Sequence, residues 1–217
     1  MPTLASNYCL LIVLVLIYGA FLFWYGGRGE PMTEDEVTQR LAAISASTGG
    51  KSQAVDQVPG EIIAELKQLA ASDDGNEFFM VNLIKYRQKA LYPPGSDYDD
   101  SALAADSRYN RALVPYLLKF GGVPVFVGSP QGRFIDKSGD MEWDRVAVVR
   151  YRSRRDLFKM AHEIAPLGVA IHKWASIERT QVFPVAPILS LFTVRALVAT
   201  ILAVIGAVIH FLFFRSL

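Results

Sequence analysis

Cysteine and histidine are the scarcest chemistry-bearing residues in this chain. Cys9 is the single cysteine, so no disulfide can close within the 217 residues. Three histidines, His162, His172 and His210, lie far apart or without a carboxylate at ligand spacing, which argues against a metal centre. Excess charge is missing as well. The 22 Lys and Arg balance 21 Asp and Glu to a net +1, leaving no overall field that would gather nucleic acid. No serine or cysteine sits in a nucleophile motif, and no carboxylates form a recognisable catalytic pair. Gly49-Gly50-Lys51-Ser52 resembles the tail of a phosphate-binding loop, but the first glycine of that motif would fall on Ser45 and no strand precedes it. It reads as a linker.

What the chain has in abundance is apolar sequence at its two ends. Hydrophobic residues make up 52% of it although 20% is charged. Tyr8 to Trp24 is an unbroken apolar run, and with its flanks it approaches the roughly 20 residues that cross a bilayer. Met1–Asn7 has no Lys or Arg and no small-x-small cleavage site precedes Arg28, so we read an anchor over residues 1–27 in place of a cleaved signal. A second span is expected within 185–217: Ala196–Phe214 is apolar apart from Thr200 and His210, with Arg195 and Arg215 at its ends. Ala199, Ala203 and Ala207 recur every four residues beside Gly206, a small-residue stripe that would let another helix approach. His210 is an ionisable group in this run and a weak candidate for haem or pigment ligation.

Between the ends the pattern is that of a folded domain. Residues 28–76 predict two helices. Thr33-Glu-Asp-Glu36 opens the first, with Val37, Leu41 and Ile44 on one stripe, and Pro59 opens the second, with Ile62, Leu66 and Leu69 in register. Residues 77–184 predict β-α-β-β-α-β. Glu77–Tyr86 is rich in aromatic and branched residues on both faces, as in a strand covered on both sides, with Asn82 on the face of Phe78 and Tyr86 and Lys85 on the other. A helix from about Ser101 to Phe120 buries Tyr109, Leu113 and Tyr116, and Gly121-Gly122 ends it. Strands over Val123–Val127 and Trp143–Tyr151, a helix capped by Ser153, a shorter one through Trp174 and a last strand over Ser176–Phe183 complete the order.

Met80-Val-Asn-Leu-Ile-Lys85, Leu118-Lys-Phe-Gly-Gly122, Glu142-Trp-Asp-Arg145 and Val148-Val-Arg-Tyr-Arg-Ser153 follow one another in an order that resembles a group of small bacterial proteins of the dimeric α+β barrel superfamily. The resemblance covers about residues 77–183. It implies a ferredoxin-like domain whose sheet meets that of a second copy, with space between them for a small molecule. Members of that superfamily include monooxygenases, isomerases, haem-binding proteins and proteins with no assigned activity, so it implies fold and pairing more than reaction.

Six residues are candidates to line a pocket between sheet and partner: Asn82, Tyr86, Tyr109, Tyr116, Trp143 and Arg145. Arg150, Arg152, Arg154 and Arg155, at a strand end and helix start, are candidates for an anion or lipid head group. Arg28, Arg40, Lys173, Arg179 and Arg195 weight the central region with positive charge, which places it on the cytoplasmic side of a bacterial inner membrane. The expected role is a non-catalytic accessory or scaffolding subunit, partnered by the bilayer and by other membrane subunits or itself, with no cofactor. The alternative is a protein holding a quinone-like or aromatic metabolite in the barrel.

Overall fold

The computed structural model describes residues 4–27, 29–48, 59–98, 101–132, 134–135, 142–189 and 194–214. The expected linker Gly49–Ser52 and the flanking Arg28 and Arg215 lie outside the described residues. Two compact units are present, one built from the chain ends Met1–Gly26 and Ile188–Leu217, the other from Gly27–Pro187.

The unit of the chain ends consists of α1 (Leu4–Tyr25) and α7 (Val194–Phe214). At 1.5 Å per residue each is about 32 Å long, and both are long and apolar enough to cross a membrane. They run antiparallel. Near one end the Tyr18 hydroxyl donates to the Arg195 carbonyl (3.3 Å) and the Arg195 guanidinium lies 5.0 Å from the Tyr25 ring centre. Near the other, His210 Nδ1 stands 3.3 Å from Asn7 Oδ1.

The central unit holds a four-stranded sheet in the order β2-β3-β1-β4, with β1 (Phe78–Tyr86), β2 (Val123–Gly128), β3 (Arg145–Tyr151) and β4 (Ile177–Val185). Every neighbouring pair is antiparallel. Helices α2 (Glu34–Thr48), α3 (Pro59–Ala71), α4 (Ala102–Lys119), α5 (Arg154–Ile164) and α6 (Ala170–Ser176) complete an α+β unit. The caps behave as their residue types dictate. Ser101 and Ser153 accept the N–H groups of Ala104 and Asp156 (3.2 and 3.1 Å), and Gly121 takes φ +71° so that Gly122 N–H can return to the Leu117 carbonyl.

Alternation along the strands sorts the sheet into two faces. One carries Phe78, Met80, Tyr151 and Tyr86. Phe78 packs with Leu157 and the fully buried Phe158 of α5, Ile44 of α2 and Ala70 of α3 into the core, so the helices of 28–76 belong to the same compact body as the sheet. Their approach is tied down locally. Asp73 Oδ2 accepts the Met32 N–H (2.8 Å), Arg155 donates to the Pro31 carbonyl (3.2 Å), and Gly75 at φ +74° leaves no room for a Cβ against the backbone of Gly29 and Glu30.

The opposite face carries Val81 and Leu83 of β1, Val146 and Val148 of β3, and Phe183 and Val185 of β4. These side chains are half-buried or exposed. β1 is closed at its ends and half-buried between them: Phe78, Phe79 and Tyr86 are buried, while Met80 to Lys85, on both faces, are half-buried.

Candidate functional site

The densest polar arrangement lies on the helix side, where the end of β1 and the start of β3 meet α4. Asp106 projects from the buried stripe of α4 and is 5% exposed. Its Oδ2 accepts the Tyr86 hydroxyl at 2.9 Å and Arg145 Nη1 at 2.7 Å, and the Arg145 guanidinium also lies 5.0 Å from the Tyr86 ring centre. One turn along α4, Tyr109 faces Lys173 of α6. The Lys173 Nζ is 5.9 Å from the Tyr109 ring centre and 4.9 Å from that of Trp174.

The electrostatics follow from burial. Burial, then the Asp106 charge, pushes the Tyr109 phenol up to about 12 and the Tyr86 phenol higher still, so both stay protonated donors across the physiological range. Burial pushes the Lys173 ammonium below the ordinary lysine value, with Glu65 and Asp106 opposing that shift.

Beside this cluster the loop after β1 contributes Tyr92 and Tyr98. Tyr92 Oη is 2.8 Å from His172 Nδ1 and accepts from Arg108 at 3.1 Å, and the Tyr98 ring stands edge-on to His172 at 4.9 Å. His172 is thus a packing residue between α6 and the loop, and His162 is exposed on α5.

Of the six pocket candidates, Tyr86 and Arg145 meet on Asp106, and Tyr109 lies close enough to feel its charge. Asn82 is used within the sheet, its Nδ2 donating to the Met80 and Ala147 carbonyls (3.1 and 3.3 Å). Trp143 stands apart, with the Arg179 guanidinium 5.7 Å from its ring centre, and Tyr116 is half-buried further along α4. Sequence reading passed over Asp106 and Lys173. The signal for Asp106 was there: a lone carboxylate at i−3 from Tyr109, inside an apolar helical stripe, must be satisfied from another element.

The four arginines do not converge. Arg150, fully buried, donates to Glu77 Oε2 (2.9 and 2.5 Å) and to the Gly121 carbonyl (2.9 Å). Arg152 holds Asp156 (2.6 Å), Arg154 holds Asp74 (3.0 Å) over the Phe78 ring, and Arg155 holds Glu36 (3.0 Å). Each is paired with carboxylates near it, Arg154 also with Asp73 at 3.9 Å and Glu36 also with Arg40 at 2.7 Å, which ties β3 and α5 to the surrounding segments.

On α7 the small residues divide between two faces. Gly206 is buried against Leu14, and a Cβ there would come 2.7 Å from Leu14 Cδ1. Ala199 is half-buried, whereas Ala203 and Ala207 are exposed, on one stripe with Ala196, Thr200 and His210. Of the small residues of this stripe, Gly206 is the one placed against α1, through Leu14.

No protein-family model matches the chain, and no curated protein matches it. Solved structures do. RPA0582, a protein of unknown function from Rhodopseudomonas palustris, aligns with TM-score 0.52 and 22% identity over 62% of this chain and 97% of its own. Methylated RPA0582 protein aligns with TM-score 0.53 and 23% identity over 62% and 96%. At such identity the likeness speaks to fold alone, and that fold occupies well under the whole of this chain.

Proposed function

We propose that this is a membrane-anchored, non-catalytic accessory or scaffolding subunit, held in a bacterial inner membrane by α1 and α7, with its α+β domain in the cytoplasm. The observation that carries the reading is the surface of α7. Its Gly206 face is occupied by α1, while Ala196, Thr200, Ala203 and Ala207 form a second, exposed stripe. In lipid, small residues with a hydroxyl among them suit close approach and hydrogen bonding by a further helix. The domain is ferredoxin-like in this reading, and its open apolar face is covered by another subunit or a second copy.

Purification in mild detergent tests the proposal. A stoichiometric partner or a dimer of the chain should co-purify, and Ala203→Leu should remove it while leaving the amount in the membrane unchanged, because leucine inserts at least as well as alanine. His210→Leu, which adds no bulk to the alanine positions, is the control. If Ala203→Leu leaves every association intact, α7 is a plain anchor and the accessory role falls.

A second reading has its own observation. Val81, Leu83, Val146 and Val148 make an apolar sheet face that a second copy would roof into a chamber suited to a quinone-like or aromatic metabolite. Solvent extraction of the purified protein that releases such a molecule would favour it.

A further inference from the structure

We propose that the connection between β2 and β3 dips into the surface of the bilayer through Phe134 and Ile135. This deepens the membrane-anchored reading above and rests on it.

Two observations carry the inference. The first is where the apolar exposure lies. Phe134 is 97% exposed and Ile135 75%, just past Gly132, whose φ of +117° turns the chain in a way that favours glycine. Among the described residues of the central unit no other large apolar side chain exceeds 61%. That one is Val127, next to the exposed Phe126 on β2, the strand that leads into this connection. Exposure as high as that of Phe134 and Ile135 recurs in the unit of the chain ends, at Phe23 of α1 and at Ile188 and Leu189 ahead of α7. The tip thus has the surface of the membrane-length helices and their approach, not that of the domain that bears it.

The second is the tether, which selects lipid as the occupant. Helix α1 ends at Tyr25 and the central unit begins at Gly27. The unit ends at Pro187 and α7 begins at Val194, a linker that spans at most about 25 Å. A bilayer that holds both helices therefore stays within short reach of the unit from both of its ends, and no soluble partner is held so close by the chain itself. In sequence, Arg133 and Lys137 bracket the apolar pair with Asp136 between them, a composition that suits phosphate head groups around an apolar insertion.

On entry the ring of Phe134 and the branched side chain of Ile135 exchange water for the boundary between head groups and acyl chains. The loop backbone stays at the level of the head groups, where its N–H and C=O groups find partners. Two side chains are too few to anchor a protein. Their effect is to fix which side of the central unit faces the membrane.

The test uses the full-length chain with Cys9→Ser, so that one introduced cysteine carries the environment-sensitive fluorophore NBD, in nanodiscs of phosphatidylcholine and phosphatidylglycerol. Phe134→Cys is the test position, Phe23→Cys on α1 reports the span, and Leu167→Cys, between α5 and α6, is the water-exposed reference. The probe of Phe134→Cys should lose about half its emission when acyl-brominated lipid replaces the ordinary lipid, as fits a depth of roughly 5–10 Å, and that of Leu167→Cys should be unchanged. No quenching in Phe134→Cys, with Phe23→Cys quenched, would overturn the insertion and leave the spans standing. A blue shift in Phe134→Cys without quenching would mean that protein covers the tip, which overturns it equally. So would equal quenching in Phe134→Cys and Leu167→Cys. If Phe23→Cys is not quenched, the membrane reading itself falls and takes this inference with it.

Discussion

In the terminal helices Leu16 and Phe23 of α1 and Leu197 and Phe213 of α7 turn their side chains outward, whereas in the central unit Phe78, Leu117 and Phe158 are shut inside and the outside carries charge. The two regions also differ in how polar groups are used. In the helices Tyr18 meets Arg195 towards one end and Asn7 meets His210 towards the other. In the central unit ion pairs tie distant segments together, Arg155 reaching Glu36 and Arg150 reaching Glu77. The contrast is one of solvent. The central unit derives its stability from removing apolar surface from water, while the exposed apolar surface of the helices calls for lipid or another protein.

Truncating a core ring is the largest test of that contrast. Phe158→Ala should destabilise the central unit by about 3–5 kcal/mol, because the cavity is lined by Phe78, Leu157 and Ile44. Leu212→Ala, on an exposed position of α7, should change thermal unfolding in detergent by less than about 1 kcal/mol. Equal losses would mean that the helices are packed in a way their exposure does not show.

Breaking the buried polar cluster ranks next. Asp106→Ala strands the Tyr86 hydroxyl and the Arg145 guanidinium, and should cost about 2–3 kcal/mol in denaturant unfolding, the range for a hydrogen-bonded charge with one partner partly exposed. An effect below about 0.5 kcal/mol would show that Asp106 is not the hub of this end of the sheet.

Acid sensitivity sharpens the role of the ion pairs. Burial pushes the Asp156 carboxyl up, but hydrogen bonds from Arg152 and Ser153 and the Arg152 charge outweigh it, so the folded value lies below the ordinary one. The stability it contributes is therefore complete above the unfolded value of about 3.9 and is lost as pH falls below it towards the folded value. Unfolding free energy should hold steady from pH 7 to 5 and drop below about pH 4, with a shallower drop in Asp156→Asn. An acid limb of the same steepness in that variant would remove Asp156 from the account.

The smallest effect is expected at Trp143. From sequence it opens an apolar strand and is a candidate to line a pocket. In the structure it is half-buried, with Arg179 over its face, so Trp143→Ala should cost about 1–2 kcal/mol in the same measurement. A loss above about 3 kcal/mol would place it in the core.

Much of the architecture was legible because it is written in short-range chemistry. The strand over 78–86, the helix capped by Ser101 and closed by Gly121-Gly122, and the Ser153 cap each depend on residues within a turn or an alternation of one another. The site was legible in part. Tyr86, Tyr109 and Arg145 stood out as polar or aromatic residues in apolar segments, but the carboxylate that joins them did not, because Asp106 is 20 residues from Tyr86 and 39 from Arg145. Likewise the four arginines look alike in sequence, and only folding assigns them to Glu77, Asp156, Asp74 and Glu36.

By itself the sequence determined two apolar helices long enough to cross a bilayer, the order of strands and helices between them, and where most of those elements begin and end. Periodicity and capping decide these, and both act over a few residues. Tertiary structure alone decided which face of the sheet the helices cover, that Gly206 of α7 meets α1, and which carboxylates the arginines hold. Those outcomes depend on segments far apart in the chain being brought together, as Arg155 and Glu36 are across 119 residues, and no local pattern encodes that distance.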